Sequence, residues 1–211
     1  MAIDFRYEKK LKQKHGYKYI VGLDEVGRGP LAGPVTVGAF IFNPNIAVSD
    51  TAMLGLRDSK LLSARQREKL YLYFCNLKER GLADFATSSV FPRTIDKKQI
   101  HHATVLAMRR AIKKLNINPD FAIVDKFPYK QKIFIDLSHE RVRRADNLVP
   151  SVAAASIVAK VKRDRSMQGY YHKKYPQYRF DLHKGYGTNL HYKMLRKHGP
   201  SPIHRRSFRL L

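Results

Sequence analysis

Apolar residues occur along the chain in short runs that are separated by glycine, proline and charged residues. Runs of this kind, about four to eight residues long and rich in Val, Ile and Phe, predict buried β-strands. Such strands are expected at 18–23, 35–42, 83–91 and 121–124, with a further short strand around 141–145. The first two are close in sequence, so we expect them to pair antiparallel.

Apolar residues that recur every three or four positions predict helices between and after these strands. The expected helices lie at 2–15, from Ser63 to Gly81, at about 95–115, from Pro150 to about Tyr171, and from Thr188 to Gly199. Ser63 and Gln66 have the spacing of a capping box, and Thr94 and Thr188 are expected to cap two other helices. Successive strands followed by alternating helices and strands predict an α/β fold, with a mixed central sheet flanked by helices.

The charge of the chain indicates the kind of partner. The 211 residues include 41 Lys and Arg against 17 Asp and Glu, a formal net charge of +24. A surplus of this size opposes the compact state by self-repulsion, which a polyanion would relieve. We therefore expect a nucleic-acid partner. An acidic membrane surface and a ribosomal type of binding role are the alternatives.

Several features bear on where the protein works. A single cysteine, Cys75, rules out an intramolecular disulfide. The first 16 residues are polar and basic, unlike a secretory signal, and the run of small apolar residues at 152–159 is far too short to span a bilayer. We expect a cytoplasmic protein that does not insert into membranes.

Four acidic residues lie just after predicted strands or just before a predicted helix. Asp24 and Glu25 follow the first strand, Asp125 follows the strand at 121–124, and Asp146 precedes the helix at Pro150. In open α/β sheets, sites form outside the carboxyl ends of strands. Converging carboxylates raise one another's pKa, and a divalent cation removes that penalty. Oxygen ligands suit Mg²⁺ or Mn²⁺, and a pair of such ions can promote phosphodiester hydrolysis.

Simpler interpretations stay open for these acids. An aspartate at a strand end is often only a turn residue or a helix cap. Adjacent strand residues point to opposite faces, so Asp24 and Glu25 share a site only if the strand ends or bulges there. Asp164, inside a helix beside two arginines, is expected to form a structural ion pair. For His204 a phosphate contact and a structural role are both open.

Several long motifs together resemble the ribonuclease HII family, and they cover nearly the whole chain. The opening motif runs from Asp24 through Gly27-Arg28-Gly29 to Pro34. The others, in the same order as in the family, are Asp58-Ser59-Lys60, the segment from Ala153 to Asp164, His183 to Thr188, and Gly199 to Phe208.

The resemblance implies a ribonuclease H-like fold and a metal-dependent endonuclease. Such an enzyme cleaves the RNA strand of RNA/DNA hybrids. It also cuts 5′ of single ribonucleotides embedded in duplex DNA, leaving a 3′-hydroxyl and a 5′-phosphate. Asp24, Glu25, Asp125 and Asp146 would be the catalytic acids and would bind Mg²⁺ or Mn²⁺, with two ions during catalysis.

The same resemblance assigns substrate contacts. The backbone around Gly27, Arg28 and Gly29 would contact the ribose 2′-hydroxyl, the group that distinguishes RNA from DNA. Tyr186 would stack on the neighbouring sugar. Two lysines would hold phosphates, namely Lys60 and Lys184. We expect a catalytic domain at 1–183, a basic, partly helical substrate-binding segment at 184–211 packed on it, and a monomer.

The chain departs from the family pattern in two places. Lys126-Phe127 follows Asp125 where the family usually has glycine after the acid, and Arg144-Ala145 precedes Asp146 where it usually has Lys-Gly.

Two rival functions stay open. One rival is a ribonuclease HIII type of enzyme, a family that lacks the Gly-Arg-Gly turn. The other is a nucleic-acid-binding protein without catalytic activity.

Overall fold

A five-stranded mixed sheet forms the centre of the protein. The structure is a computed structural model and describes residues 4–46, 56, 59–125 and 135–211. The strands are β1 Ile20–Val26, β2 Val35–Phe42, β3 Ala83–Val90, β4 Phe121–Asp125 and β5 His139–Val142. Their order across the sheet is β3-β2-β1-β4-β5. The pairs β1–β2 and β2–β3 are antiparallel, whereas β1–β4 and β4–β5 are parallel.

Helices cover both faces of this sheet. The α-helices are α1 Arg6–His15, α2 Ala64–Glu79, α3 Pro92–Ile112, α4 Pro150–Ser166, α5 His172–Lys174, α6 Phe180–His183 and α7 Asn189–His198. A π-helical turn, Met167–Tyr171, joins α4 to α5. On one face, α3 packs Ala103, Ala107 and Met108 against side chains of β1, β2 and β4. On the other face, α2 and α4 form the second part of the core.

Helix α4 lies unusually close to the middle of the sheet. Its residues Ala153, Ala154 and Ala155 are fully buried. The strands opposite carry glycine where α4 passes: a Cβ on Gly22 would lie 2.2 Å from the carbonyl carbon of Ser151, and one on Gly38 would lie 2.2 Å from the carbonyl oxygen of Ala155. Small residues on both sides therefore allow backbone to approach backbone, which brings the side chains of α4 onto β1.

The start of α4 receives its capping contact from a distant part of the chain. The residue before the helix, Val149, makes no side-chain cap. Instead, Oε1 of the buried Glu8 in α1 accepts a hydrogen bond of 3.1 Å from the amide of Ser151. A carboxylate at this position satisfies a free helix amide and interacts favourably with the helix dipole. Helix α1 is thereby fastened to the element that crosses the sheet.

The α/β class and the positions of β2, β3 and β4 agree with the sequence predictions, and the Ser63–Gln66 capping box is present. Three details were wrong. Strand β1 continues to Val26 because β2 pairs with it along that length. Thr94 does not cap α3, which begins at Pro92, a residue suited to the first helical position. Strand β5 lies at His139–Val142, a little earlier than the predicted 141–145.

The last part of the chain packs against the turn that joins β1 to β2. Leu31 and Ala32 of this turn share an apolar cluster with Phe180, Leu195 and Ile203.

The capping threonine predicted for the last helix is confirmed, since the Thr188 side chain accepts from the amide of His191. The boundary between 1–183 and 184–211 stays a prediction. In the described ranges, no helix combines the length and the apolar character needed to cross a membrane.

Candidate active site

Asp24 and Asp125 lie on two neighbouring parallel strands, Asp24 within β1 and Asp125 at the end of β4. In the register of β1 with β4, Leu23 lies opposite Val124, and the two aspartates follow directly. Leu23 and Val124 point into the core beneath α3. Because side chains alternate along a strand, both aspartates point to the other face, beneath α4. Asp24 is only 6% exposed there.

The environment of Asp24 disfavours a negative charge. Burial raises the pKa of this carboxyl well above its usual value, and the charges of Glu25, Asp125 and Asp146 raise it further. A hydrogen bond with Ser156 of α4 has the opposite effect and lowers the pKa of Asp24. The amide of Glu25 donates to Asp24 Oδ1 at 2.8 Å and holds the carboxyl in place. The other three acids singled out from the sequence therefore all act on the buried carboxylate of Asp24.

A hydrogen bond links Asp125 to the turn that carries Asp146. Asp125 Oδ1 accepts from the amide of Ala145 at 2.8 Å. Ala145 begins a short 3-10 turn, Ala145–Asn147, in which Asp146 is 3% exposed. The alanine, one of the departures from the family pattern, is fully buried and packs in an apolar cluster with Val149. The hydrogen bond to Asp125 thus anchors the turn that carries Asp146, and Ala145 fits into this turn without disrupting it.

Glu25 lies on the opposite side of β1 from Asp24. The strand neither ends nor bulges between them, since Asp24 pairs with Gly38 and Glu25 with Val37 in unbroken register. The expectation that the strand stops at the acids was therefore wrong. The Glu25 carboxylate is 10% exposed and lies 3.6 Å from Nη1 of Arg28. It is near enough to raise the pKa of Asp24, although the two side chains leave the strand in different directions.

The four acids are gathered within electrostatic range but do not form a closed ligand cage. Among the residues that the structure describes, no group of three or more His, Cys, Asp and Glu side chains is close enough to hold a metal ion. The available donors are carboxylate oxygens, which fit Mg²⁺ or Mn²⁺. A cation beside Asp24 would also offset the repulsion that raises its pKa.

The Gly27-Arg28-Gly29 turn follows β1 directly and is tightly packed on its inner side. Gly27 has φ +84°, and a Cβ there would lie 2.2 Å from Nε of Arg163 in α4. Gly29 is exposed, and a Cβ there would meet none of the described atoms within 4 Å. One side of the turn is therefore fitted to the protein and the other side faces outward.

Tyr186 lies close to this turn in a loop that is bonded to it. The carbonyl of Gly185 accepts hydrogen bonds from the amides of Leu31 at 2.9 Å and Ala32 at 3.3 Å. Tyr186 is 37% exposed. Lys160 Nζ lies 5.4 Å from the ring centroid and the Arg163 guanidinium carbon 5.5 Å from it. The structure thus places an aromatic ring, backed by two cations, beside the glycine turn.

The two predicted phosphate-binding lysines differ in what can be said of them. The ammonium of Lys184 donates to the carbonyls of Asp181 at 2.6 Å and Leu182 at 3.0 Å, so it is held at the end of α6. Lys60 belongs to a 3-10 turn, Ser59–Leu61. Its side chain lies outside the described residues, as do Lys126 and Phe127.

Ser156 was missed as a partner of Asp24 by the sequence analysis. Its hydroxyl is 2.6 Å from that of Ser59, so it connects the 3-10 turn at Ser59–Leu61 with Asp24. A serine within a run of alanine, valine and isoleucine was the available signal. Asp164 forms the structural ion pair that was expected, but with Lys160 at 3.1 Å.

Three buried histidines form a second group that the sequence analysis did not anticipate. His183 stacks on His191 with 4.2 Å between ring centroids, and His191 Nε2 lies 3.0 Å from His204 Nε2. Burial lowers the pKa of both His191 and His204 to about 4. His204 Nδ1 accepts from the amide of Ser201. Of the two roles left open for His204, the structure shows the structural one.

A five-stranded mixed sheet flanked by helices, with aspartates next to each other on two adjacent parallel strands, defines the class as the ribonuclease H-like fold. The crystal structure of ribonuclease H2 from Pyrococcus horikoshii OT3 is similar, with a TM-score of 0.73 and 26% identity over 91% of this chain and 94% of that one.

Sequence comparison narrows the class to one family. The family model of ribonuclease HII matches residues 21–211. Ribonuclease HII of Acholeplasma laidlawii is 44% identical over 99% of this chain and 96% of its own, and that of Bacillus licheniformis is 41% identical over 96% and 73%. The chain belongs to the ribonuclease HII family. It is an endoribonuclease of ribonuclease H type 2, acting on RNA/DNA hybrids.

Proposed function

We propose that Asp24, Glu25, Asp125 and Asp146 are the catalytic acids of this endonuclease and that together they bind Mg²⁺ or Mn²⁺. The supporting observation is the burial of Asp24 among three other carboxylates, which raises its pKa well above the usual value. A buried charge in such surroundings is costly unless something compensates it. A group of four acids also stands out in a chain that has 17 Asp and Glu against 41 Lys and Arg.

When bound, divalent cations would supply water activation and stabilisation of the leaving oxygen. The chain's own residues would prepare the site for them. Ser156 holds the Asp24 carboxyl from α4, and the amide of Ala145 holds the Asp125 carboxyl. These contacts fix the side chains of two of the acids, so that fewer torsions have to be ordered on metal binding.

The glycine turn and Tyr186 would select the substrate. Gly27, Arg28 and Gly29 follow Glu25 after one intervening residue, so a 2′-hydroxyl read by this turn would lie beside the acids. Tyr186, with Lys160 and Arg163 against its ring, would stack on the neighbouring sugar. Lys60 and Lys184 would hold phosphates; Lys184 first has to leave the carbonyls of α6. Cleavage would fall 5′ of a ribonucleotide and leave a 3′-hydroxyl and a 5′-phosphate.

The finer description of the molecule is also part of this proposal. Residues 184–211 would act as the substrate-binding segment of a monomer that binds both hybrids and DNA duplexes with embedded ribonucleotides. Size-exclusion chromatography with light scattering, with and without such a duplex, measures the mass directly.

One incubation tests the proposed function. A duplex with a single embedded ribonucleotide is mixed with wild type or Asp24→Asn, in EDTA, Mg²⁺ or Mn²⁺, and an all-DNA duplex serves as the control. We expect cutting 5′ of the ribonucleotide by wild type only when a divalent cation is present, and binding without cutting by Asp24→Asn. An uncut ribonucleotide strand in both metals would refute the proposed function. Equal cutting of all-DNA would refute the role of the glycine turn.

A further inference from the structure

Two fully buried arginines lie beneath the turn that joins β1 to β2. Arg163 of α4 is 1% exposed and Arg205, near the end of the chain, is 0% exposed. Burying guanidinium groups is unfavourable unless their donors are satisfied. Here burial lowers the pKa of both groups, and for Arg205 the charge of Arg163 adds to the effect, so that its pKa is about 9. Two like charges buried close together repel each other, so the groups that they bind must explain why both arginines are there.

Both arginines hold carbonyl groups of the same turn. Arg205 donates from Nη2 to the carbonyl of Gly27 at 2.5 Å, from Nη1 to that of Arg28 at 2.7 Å, and from Nε to that of Gly33 at 3.0 Å. Arg163 donates to the carbonyls of Pro34 at 3.0 Å and Ala32 at 3.3 Å. Arg205 therefore holds the two peptide groups on either side of Arg28, and Arg163 holds the part of the turn that leads into β2.

The orientation of these carbonyls determines the orientation of the neighbouring amides. The peptide bonds of the described residues are all trans. In a trans peptide group the C=O and the following N–H point in opposite directions. With the carbonyls of Gly27 and Arg28 directed at Arg205, the amides of Arg28 and Gly29 are directed away from it. Gly29 is exposed, so this direction is towards the outside of the protein.

The backbone of Arg205 is itself attached to the turn. Its amide donates to the carbonyl of Leu31 at 2.8 Å, and Ala32 forms a β-bridge with His204. The following residues are held by Asp96, which accepts from the amides of Arg206 and Ser207, both at 3.0 Å. Hydrogen bonds thus fix the backbone that carries the planar guanidinium group of Arg205.

We propose that Arg205 is a positioning residue for ribonucleotide recognition: it turns the amides of Arg28 and Gly29 outward to meet the ribose 2′-hydroxyl. Arg163 supports the same turn from α4. This inference rests on the proposed function, because it assumes that the turn reads the 2′-hydroxyl. It adds the group that aligns the reading amides, and it places this group in the C-terminal segment, where it touches no substrate.

The test compares Arg205→Lys with wild type. Lysine keeps the positive charge, but a single ammonium cannot hold three carbonyls in a planar fork. Two quantities are measured: the ratio of affinities, in EDTA, for a duplex with one ribonucleotide over the all-DNA duplex, and the single-turnover cleavage rate in Mg²⁺. We expect the ratio to fall towards one and the rate to fall on the order of a hundredfold, as for a misaligned contact.

Two controls separate positioning from a general loss of stability. Leu77→Ala removes a buried side chain of α2 and destabilises the fold without touching the turn. Arg165→Lys changes an arginine of α4 that pairs with Glu68. Both should keep the wild-type affinity ratio. If Arg205→Lys behaves like Leu77→Ala, with a lower melting temperature and an unchanged ratio, the inference is overturned.

A milder variant decides the question if Arg205→Lys does not fold. Asp96→Ala keeps the Arg205 side chain but removes the hydrogen bonds that hold the residues after it, so the guanidinium is less firmly positioned. We expect a smaller drop in the affinity ratio, and an unchanged ratio would overturn the inference. The failure of the proposed function looks different, because wild type itself would then leave the ribonucleotide strand uncut.

Discussion

The α-carbon of Gly27 faces the guanidinium of Arg163, so closely that a Cβ on Gly27 would lie 2.2 Å from Nε. The same glycine has φ +84°, which disfavours any side chain by about 1–2 kcal/mol. Gly27→Ala is therefore expected to lower the melting temperature and to abolish cleavage. Thermal unfolding and the single-ribonucleotide assay measure the two effects.

Gly29→Ala is the matched control for the stability part of that prediction. A Cβ there meets none of the described atoms within 4 Å. We expect a free energy of unfolding within about 0.5 kcal/mol of wild type. A loss of cleavage in this variant would then report a clash with substrate alone. Equal destabilisation by both alanines would contradict the packing described for the turn.

Asp24→Asn should stabilise the metal-free protein while it abolishes cleavage. The pKa of Asp24 is raised in the folded state by burial and by its acidic neighbours. The stability contributed by the protonated carboxyl is present below the unfolded pKa and is lost as the pH rises through the folded pKa. An amide avoids that loss, and the gain at neutral pH is on the order of 1 kcal/mol.

Thermal melts at pH 7 in EDTA and in Mg²⁺ measure this effect. Mg²⁺ should raise the melting temperature of wild type more than that of Asp24→Asn. A variant that melts below wild type in EDTA would show that the carboxylate is not under electrostatic strain.

The buried histidines predict a loss of stability in acid. The pKa of His191 and of His204 is lowered from 6.5 to about 4 in the folded protein. Between these two values the unfolded chain binds protons that the folded chain does not, so stability should fall as the pH falls from 6.5 to 4. Denaturant melts across this range should show a shallower dependence in His204→Gln. The same slope in variant and wild type would exclude His204 as a source.

Gly22→Ala should separate α4 from the sheet. A Cβ on Gly22 would lie 2.2 Å from the carbonyl carbon of Ser151, where backbone cannot move aside cheaply. We expect a destabilisation of about 1–3 kcal/mol from overpacking, together with weaker cleavage because Ser156 moves relative to Asp24. Gly169→Ala, with nothing among the described residues within 4 Å of the added Cβ, is the control and should leave stability nearly unchanged. Equal melting temperatures for the two variants would contradict the close approach of α4.

Much of the fold could be predicted because local signals agreed with it. The apolar runs at 35–42 and 121–124 became β2 and β4, and Ser63 with Gln66 capped α2 as expected. The end of β1 could not be predicted from its own residues, since pairing with β2 carries the strand through two acids to Val26. The start of α3 was misplaced because Pro92, and not Thr94, opens the helix.

By itself the sequence determined the class of fold, the family, and which four acids to examine, because strand periodicity, turn residues and ordered motifs are properties of neighbouring positions. Only the tertiary structure decided that Asp24 and Asp125 share a face while Glu25 leaves from the other, since this depends on strand register. It alone decided that Arg205 holds the carbonyl of Arg28, a residue 177 positions away. Contacts over such separations come from chain packing, and local patterns contain no record of them.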